Sequence, residues 1–179
     1  MSTRTTAVAA AGLALLLGAA GCGRDDAAAA ASAGARPAAC RTAQLSWRLT
    51  GLPGRAHHSP AATLSATLRS ARTCAFDGYP ELDVYVGKGP DVPARPERGA
   101  GPVRVELHPG HTLTFPVFYA PSVLPDGSCF LPADTTPSIS VRPPHAHDAS
   151  LLRLSDARGR FERMQVCGTA MRLGSPRLR

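Results

Sequence analysis

Apolar side chains recur at every second position in short runs: Leu45, Trp47 and Leu49, then Leu64, Ala66 and Leu68, then Leu82, Val84 and Val86. The same spacing returns at Val103, Val105 and Leu107, at Leu113, Phe115, Val117 and Tyr119, at Ile139 and Val141, and from Val166 to Leu173. Successive side chains of a strand point to opposite faces, so a period of two marks strands with one buried face. Between the runs stand Gly51-Leu52-Pro53-Gly54, Asp77-Gly78, Gly87 to Pro93, Pro109-Gly110, Asp126-Gly127 and Pro143-Pro144, all turn or loop chemistry. About seven to eight short strands at this spacing predict an all-β fold, an antiparallel β-sandwich of the immunoglobulin-like kind. No long stretch has a period of 3.6 residues, and residues 149–160 are the best place for a short helix. No internal repeat is visible.

Composition agrees with this. The 179 residues are 44% apolar and include 17 Gly and 17 Pro, enough core for one domain and too many turn residues for a helical bundle. The net charge of +7 comes from 20 basic residues against 13 acidic ones, and Lys88 is the single lysine.

The N-terminal segment changes the picture of where the domain works. Arg4 precedes the apolar run Ala7 to Ala20, which is shorter than the roughly 20 residues a spanning helix needs and fits a removed export signal. The small residues Ala19-Ala20-Gly21 before Cys22 resemble the lipobox of bacterial lipoproteins, in which the cysteine sulfur takes a diacylglyceryl group and becomes the mature N-terminus. The expected organisation is a signal peptide over 1–21, a lipidated Cys22 and Ala-rich tether over 22–39, and the folded domain over 40–179. The expected location is the outer face of the cell membrane, with plain secretion as the alternative. The tether has no large apolar residue and builds no core.

Five cysteines are an odd number. With Cys22 lipidated, Cys40, Cys74, Cys129 and Cys167 remain for two disulfides in a compartment that permits oxidation. None of them has the close pair spacing of a zinc ribbon, so disulfides are preferred to metal.

The folded part resembles a family of small secreted or lipid-anchored actinobacterial envelope proteins, domain of unknown function 4232. The resemblance is carried by Cys40, by Cys74-Ala75-Phe76-Asp77-Gly78-Tyr79-Pro80 and the run after it, and by Leu107-His108-Pro109-Gly110. Asp126-Gly127-Ser128-Cys129 leading to Pro143-Pro144, and Cys167-Gly168, complete it. It implies a disulfide-bonded β-sandwich in the envelope and brings no catalytic residue. Of the three possible pairings, Cys40 with Cys167 and Cys74 with Cys129 is the expected one, because it ties the first and last strands together. Cys40 with Cys74 and Cys129 with Cys167 is the alternative.

Candidate chemistry is sparse. In an extended segment His145 and His147 face one side and would jointly present imidazoles to Zn²⁺ or Cu²⁺; the competing and preferred reading is a polar loop after Pro143-Pro144. No H-E-x-x-H or G-x-S-x-G occurs, and Gly87-Lys88-Gly89-Pro90 lacks the Ser or Thr a phosphate loop places after its lysine. No catalytic residue, metal ligand or cofactor is therefore assigned. The arginines at 153, 158, 160, 163, 172, 177 and 179 favour an anionic wall polymer or headgroup, with a solvated surface as the plainer alternative. Nucleic acid is disfavoured, because no aromatics are interleaved with them. The expected function is a non-catalytic envelope module that binds a polymer or an envelope protein, the alternative being a wall hydrolase whose triad is scattered in sequence.

Overall fold

The computed structural model describes residues 36–53, 59–85, 91–120 and 137–179. The export signal, Cys22, most of the tether, His57-His58, Lys88 and Cys129 lie outside the described residues. Among the described residues, a short 3₁₀ turn at Thr42–Gln44 is followed by twelve strands. They are β1 (Leu45–Gly51), β2 (Ala62–Leu68), β3 (Cys74–Asp77), β4 (Glu81–Tyr85), β5 (Val92–Pro96) and β6 (Arg104–Leu107). The second half holds β7 (Thr112–Ala120), β8 (Ser138–Arg142), β9 (Ser150–Leu152), β10 (Leu154–Ser155), β11 (Cys167–Leu173) and β12 (Arg177–Leu178). Each of the seven runs read from alternation falls on a strand, β1, β2, β4, β6, β7, β8 or β11, with Val86 of the third run outside the described residues and Val103 and Val166 just ahead of their strands; β3, β5, β9, β10 and β12 are additional.

Nine strands follow edge to edge in the order β10-β1-β2-β7-β11-β5-β4-β8-β9, with β12 also on β7 and with β3 and β6 as a separate two-stranded ladder. The expectation of a wholly antiparallel arrangement is corrected: β1 pairs β10 in parallel, and β11 pairs β5 in parallel. The reason lies in two places where the chain exchanges partners. In β5, Val92 and Pro93 pair with β4, and Ala94 to Pro96 pair with β11. Pro93 has no N–H to extend the first ladder, and the exchange falls directly after it. Strands β9 and β10 are separated by Arg153 alone, yet β9 lies on β8 and β10 on β1. The two ends of the nine-strand path are thus consecutive in the chain, and the mixed sheet rolls toward a closed barrel.

The helix expected within residues 149–160 is replaced by β9, β10 and a turn. Leu152 packs on the core and Leu154 is buried, a period of two, while Leu151 is 80% exposed. The break expected from Gly87 to Pro93 ends early, because Val92 is buried and pairs with Val84.

Inward positions of β1, β2, β7, β4 and β8 supply the core, with Leu49, Leu64, Phe115, Leu82 and Ile139 among its buried members. An aromatic chain runs through it: Trp47 to Phe76 at 6.2 Å, Phe76 to Phe115 at 5.8 Å, and Phe115 to Tyr79 at 5.9 Å between centroids. Each such pair contributes about 0.5–1.5 kcal/mol beyond the area it buries. Phe76 comes from β3, so these contacts seat the small β3–β6 ladder on the main sheet.

Strand β7 has β2 on one side and β11 and β12 on the other. A proline in so central a position, Pro116, needs an explanation. Its carbonyl accepts the N–H of Gly174 at 2.9 Å, and Gly174 lies in the gap between β11 and β12. A strand residue's N–H and C=O point to the same neighbour, so the donor that proline lacks faces this gap and leaves no ladder bond broken. A Cβ on Gly174 would stand 2.7 Å from Pro116 Cγ and 3.0 Å from Phe118 Cε2, which is why glycine occupies the gap.

Cys40 is bonded to Cys74, with Cα atoms 4.9 Å apart. The expected Cys40–Cys167 and Cys74–Cys129 pairing is therefore corrected. The segment before β1 does not run beside β11; it runs beside β3, where Cys40 N–H donates to Ala75 O and Ala75 N–H donates to Ala38 O. The bond closes a loop over a sequence separation of 34, for which chain entropy gives about 4 kcal/mol. Replacing Cys40 and Cys74 together by serine should lower unfolding free energy in urea by about 2–4 kcal/mol. A non-reducing peptide map of the wild type should contain a fragment joining Cys40 to Cys74.

Candidate functional site

The histidines are the first candidates, and the fold separates them by role. His145 has φ 64°, a left-handed conformation rare outside glycine, and sits in the turn closed by Ala146 N–H donating to Pro143 O. That turn is the polar loop expected after Pro143-Pro144, not the extended segment that would aim His145 and His147 to one side. His108 and His111 bracket Pro109-Gly110, which makes the expected turn: His111 N–H donates to His108 O and Gly110 has φ 81°. Their rings meet edge to face at 5.3 Å. Thr73 Oγ1 lies 3.1 Å from His108 Nδ1, a hydroxyl–imidazole pair with no described carboxylate hydrogen-bonded to the ring. His111 Nδ1 is buried with no hydrogen-bond partner among the described residues.

A second cluster lies on the outward side of β4 and β8. Register places Glu81 opposite Arg142, Asp83 opposite Ser140, and Tyr85 opposite Ser138. Arg142 holds Glu81 through two of its nitrogens. Burial pushes the Asp83 carboxyl above the ordinary aspartate value, and the Glu81 and Asp91 charges push it further, against a smaller pull from Arg142. Ser140 is buried, and its hydroxyl reaches Tyr85 Oη at 3.5 Å.

The third candidate, the arginine-rich stretch after β10, is partly neutralised by its own turn. Asp156 Oδ1 accepts the N–H groups of Arg158 and Arg160 at 2.9 and 2.8 Å, and its Oδ2 accepts Arg160 Nε at 2.7 Å. These bonds hold the Asp156 carboxyl below the ordinary range, those from Arg160 most strongly. A cleft of about 630 Å³ separates this turn from Gly51-Leu52-Pro53, with Glu162 on its wall. Arg172 is likewise occupied, paired with Glu97 at 3.0 Å and lying over Phe118 at 5.4 Å.

The fourth candidate is the outward face of β1, β2, β7 and β12. Inward residues of the first three alternate with Ser46, Arg48 and Thr50, with Thr63, Ser65 and Thr67, and with Thr112 and Thr114. Register assembles these into transverse rows. One runs Arg48–Ser65–Thr114–Arg177 across four strands. Beside it runs Ser46–Thr67–Thr112, extended by Arg179, whose backbone exchanges both hydrogen bonds with Thr112. On the other side runs Thr50–Thr63–Pro116. Thr67 and Thr112 hydroxyls bond each other at 2.8 Å, and Thr114 Oγ1 donates to Arg177 O. No carboxylate side chain stands in any row. The arginines at 177 and 179 were expected in an anion-binding region; Arg48 and the hydroxyls were not, because their gathering depends on register.

Together these features define a small all-β domain with an internal disulfide, its polar chemistry spread over an outer strand face. The family model described as Domain of unknown function (DUF4232) matches residues 40–173, and the chain belongs to that family. No curated protein and no solved structure matches it.

Asp83 yields a signed pH dependence. A carboxyl raised in the folded state favours folding when protonated, and that contribution is lost as pH rises through the raised value. Asp83→Asn should therefore melt higher than wild type at neutral pH. The difference should vanish below the ordinary aspartate value, as read by thermal melts across a pH series.

Proposed function

We propose that the protein is a non-catalytic cell-envelope lipoprotein, an extracytoplasmic binding module held on the outer face of the membrane through lipid on Cys22. The observation that carries the reading is the outer face of β1, β2, β7 and β12, polar, arginine-bearing and with no carboxylate side chain in its rows, on a domain whose described histidines fall on two separate turns. The short apolar run before Gly21-Cys22 supports export and anchoring. The Cys40–Cys74 bond suits an oxidising compartment. Cys167 is disulfide-bonded as well, and once Cys22 carries lipid Cys129 is the cysteine left for it, so the second bridge of this reading is Cys129–Cys167. The two arcs of the rolled sheet, joined where β5 and β9–β10 exchange partners, correspond in this reading to the layers of an immunoglobulin-like sandwich. A hydrolase would use Thr73 and His108 as its nearest nucleophile and base, and that pair lacks an orienting carboxylate among the described residues.

One experiment tests anchoring and binding together, in cells expressing the full chain. Wild type should fractionate with the membrane, carry a diacylglyceryl group on an N-terminal Cys22, and form discrete cross-linked adducts in native envelopes. Cys22→Ala should be released or remain unprocessed. An unmodified wild-type N-terminus overturns the anchor, and cross-linked envelopes yielding monomer alone overturn the binding role.

A further inference from the structure

The geometry points to the β1–β2–β7–β12 face as a docking surface for a linear, hydroxyl-bearing polyanion, a polyol-phosphodiester chain lying across the strands. This rests on the binding-module reading above and names the partner's chemistry. In the central row, Arg48 and Arg177 stand at the ends with Ser65 and Thr114 between them. Neighbouring strands lie about 4.8 Å apart, so three steps separate the two arginine Cα atoms by roughly 14 Å. Both arginines are exposed, and neither belongs to any ion pair among the described residues. The described ion pairs hold Arg104, Arg142, Arg160 and Arg172 instead. Arg48 and Arg177 thus retain guanidinium donors for an external anion.

The row's composition selects the partner. Guanidinium groups bind phosphate or carboxylate oxygens through paired N–H donors. Serine and threonine hydroxyls both donate and accept, so the stretch between the arginines suits hydroxyl and ester oxygens of a ligand backbone. No row carries a carboxylate side chain, and Glu97, near Pro116 at the end of the third row, is paired with Arg172, so the central row itself offers an anionic chain no side-chain repulsion. A lipid bilayer is the poorer fit, since a peripheral face gains membrane affinity by burying apolar side chains. Here the rows offer Pro116 alone, with Phe118 beneath Arg172. A nucleic acid strand would need aromatic platforms, and the rows hold none.

The test is binding of the full chain to purified poly(glycerol phosphate), measured across a salt series and compared with phosphatidylglycerol vesicles. Wild type should bind the polymer with log K falling linearly in log salt. Arg48→Gln with Arg177→Gln should weaken binding about tenfold and flatten the slope by about 1 to 2. Ser65→Glu, which places a carboxylate in mid-row, should weaken it similarly. Arg104→Gln with Arg158→Gln removes the same charge from the separate β3–β6 ladder and the Asp156 turn, and should stay within about twofold of wild type. Each variant's melting curve checks that it is folded. Equal losses from the two double variants, preference for vesicles, or no polymer binding would each overturn the proposal. If envelope cross-links persist while polymer binding fails, the binding-module reading stands and this partner is wrong.

Discussion

Parallel pairing of β5 with β11 and of β10 with β1 is what allows the sheet to return on itself, and most of the remaining structure depends on it. Backbone N–H and C=O groups at a sheet edge must find partners or water. Here β5 serves one neighbour and then another, and the consecutive strands β9 and β10 cover one neighbour each, so the edges of β4, β11, β8 and β1 are partly paired. Pro93 marks one exchange and Arg153 the other. Because the sheet rolls, the inward residues of its two arcs face a common interior, and Leu49, Phe115, Leu82 and Ile139 become fully buried or nearly so.

The same closure sets what remains outside. Once alternate residues of β1, β2 and β7 are committed to the interior, their other alternates are forced onto one outer surface. That surface collects seven hydroxyl side chains and Arg48. Strand β12 adds Arg177 because Gly174 lets the chain break after β11 and resume against the first half of β7, opposite a proline that has no donor to offer. The β3–β6 ladder is attached by different means: a disulfide at Cys74 and an aromatic contact network through Phe76. Its seating leaves the outer face of the main sheet uncovered by that ladder.

The long strands were legible in the sequence because each buries one face, and burial of one face imposes a period of two. Strands β9 and β10 were not, because each pairs through two or three residues and Arg153 interrupts them. Prolines hid β5. The disulfide partners were illegible for a related reason, since they depend on which segment lies beside β3, a fact of tertiary arrangement that spacing does not carry. The candidate face occupies a middle ground. Its serines and threonines were visible at alternate positions, but the row that places Arg48 and Arg177 at opposite ends exists only through the registers of three strand pairs.

Inter-strand nuclear Overhauser contacts test the partner exchange most directly. The account predicts contacts in the parallel pattern between Leu49 and Leu154 and between Ala94 and Met171, alongside antiparallel contacts between Val84 and Val92 and between Ile139 and Leu152. Loss of either parallel set, or its replacement by an antiparallel pattern, would contradict the closure on which the core and the outer face both depend.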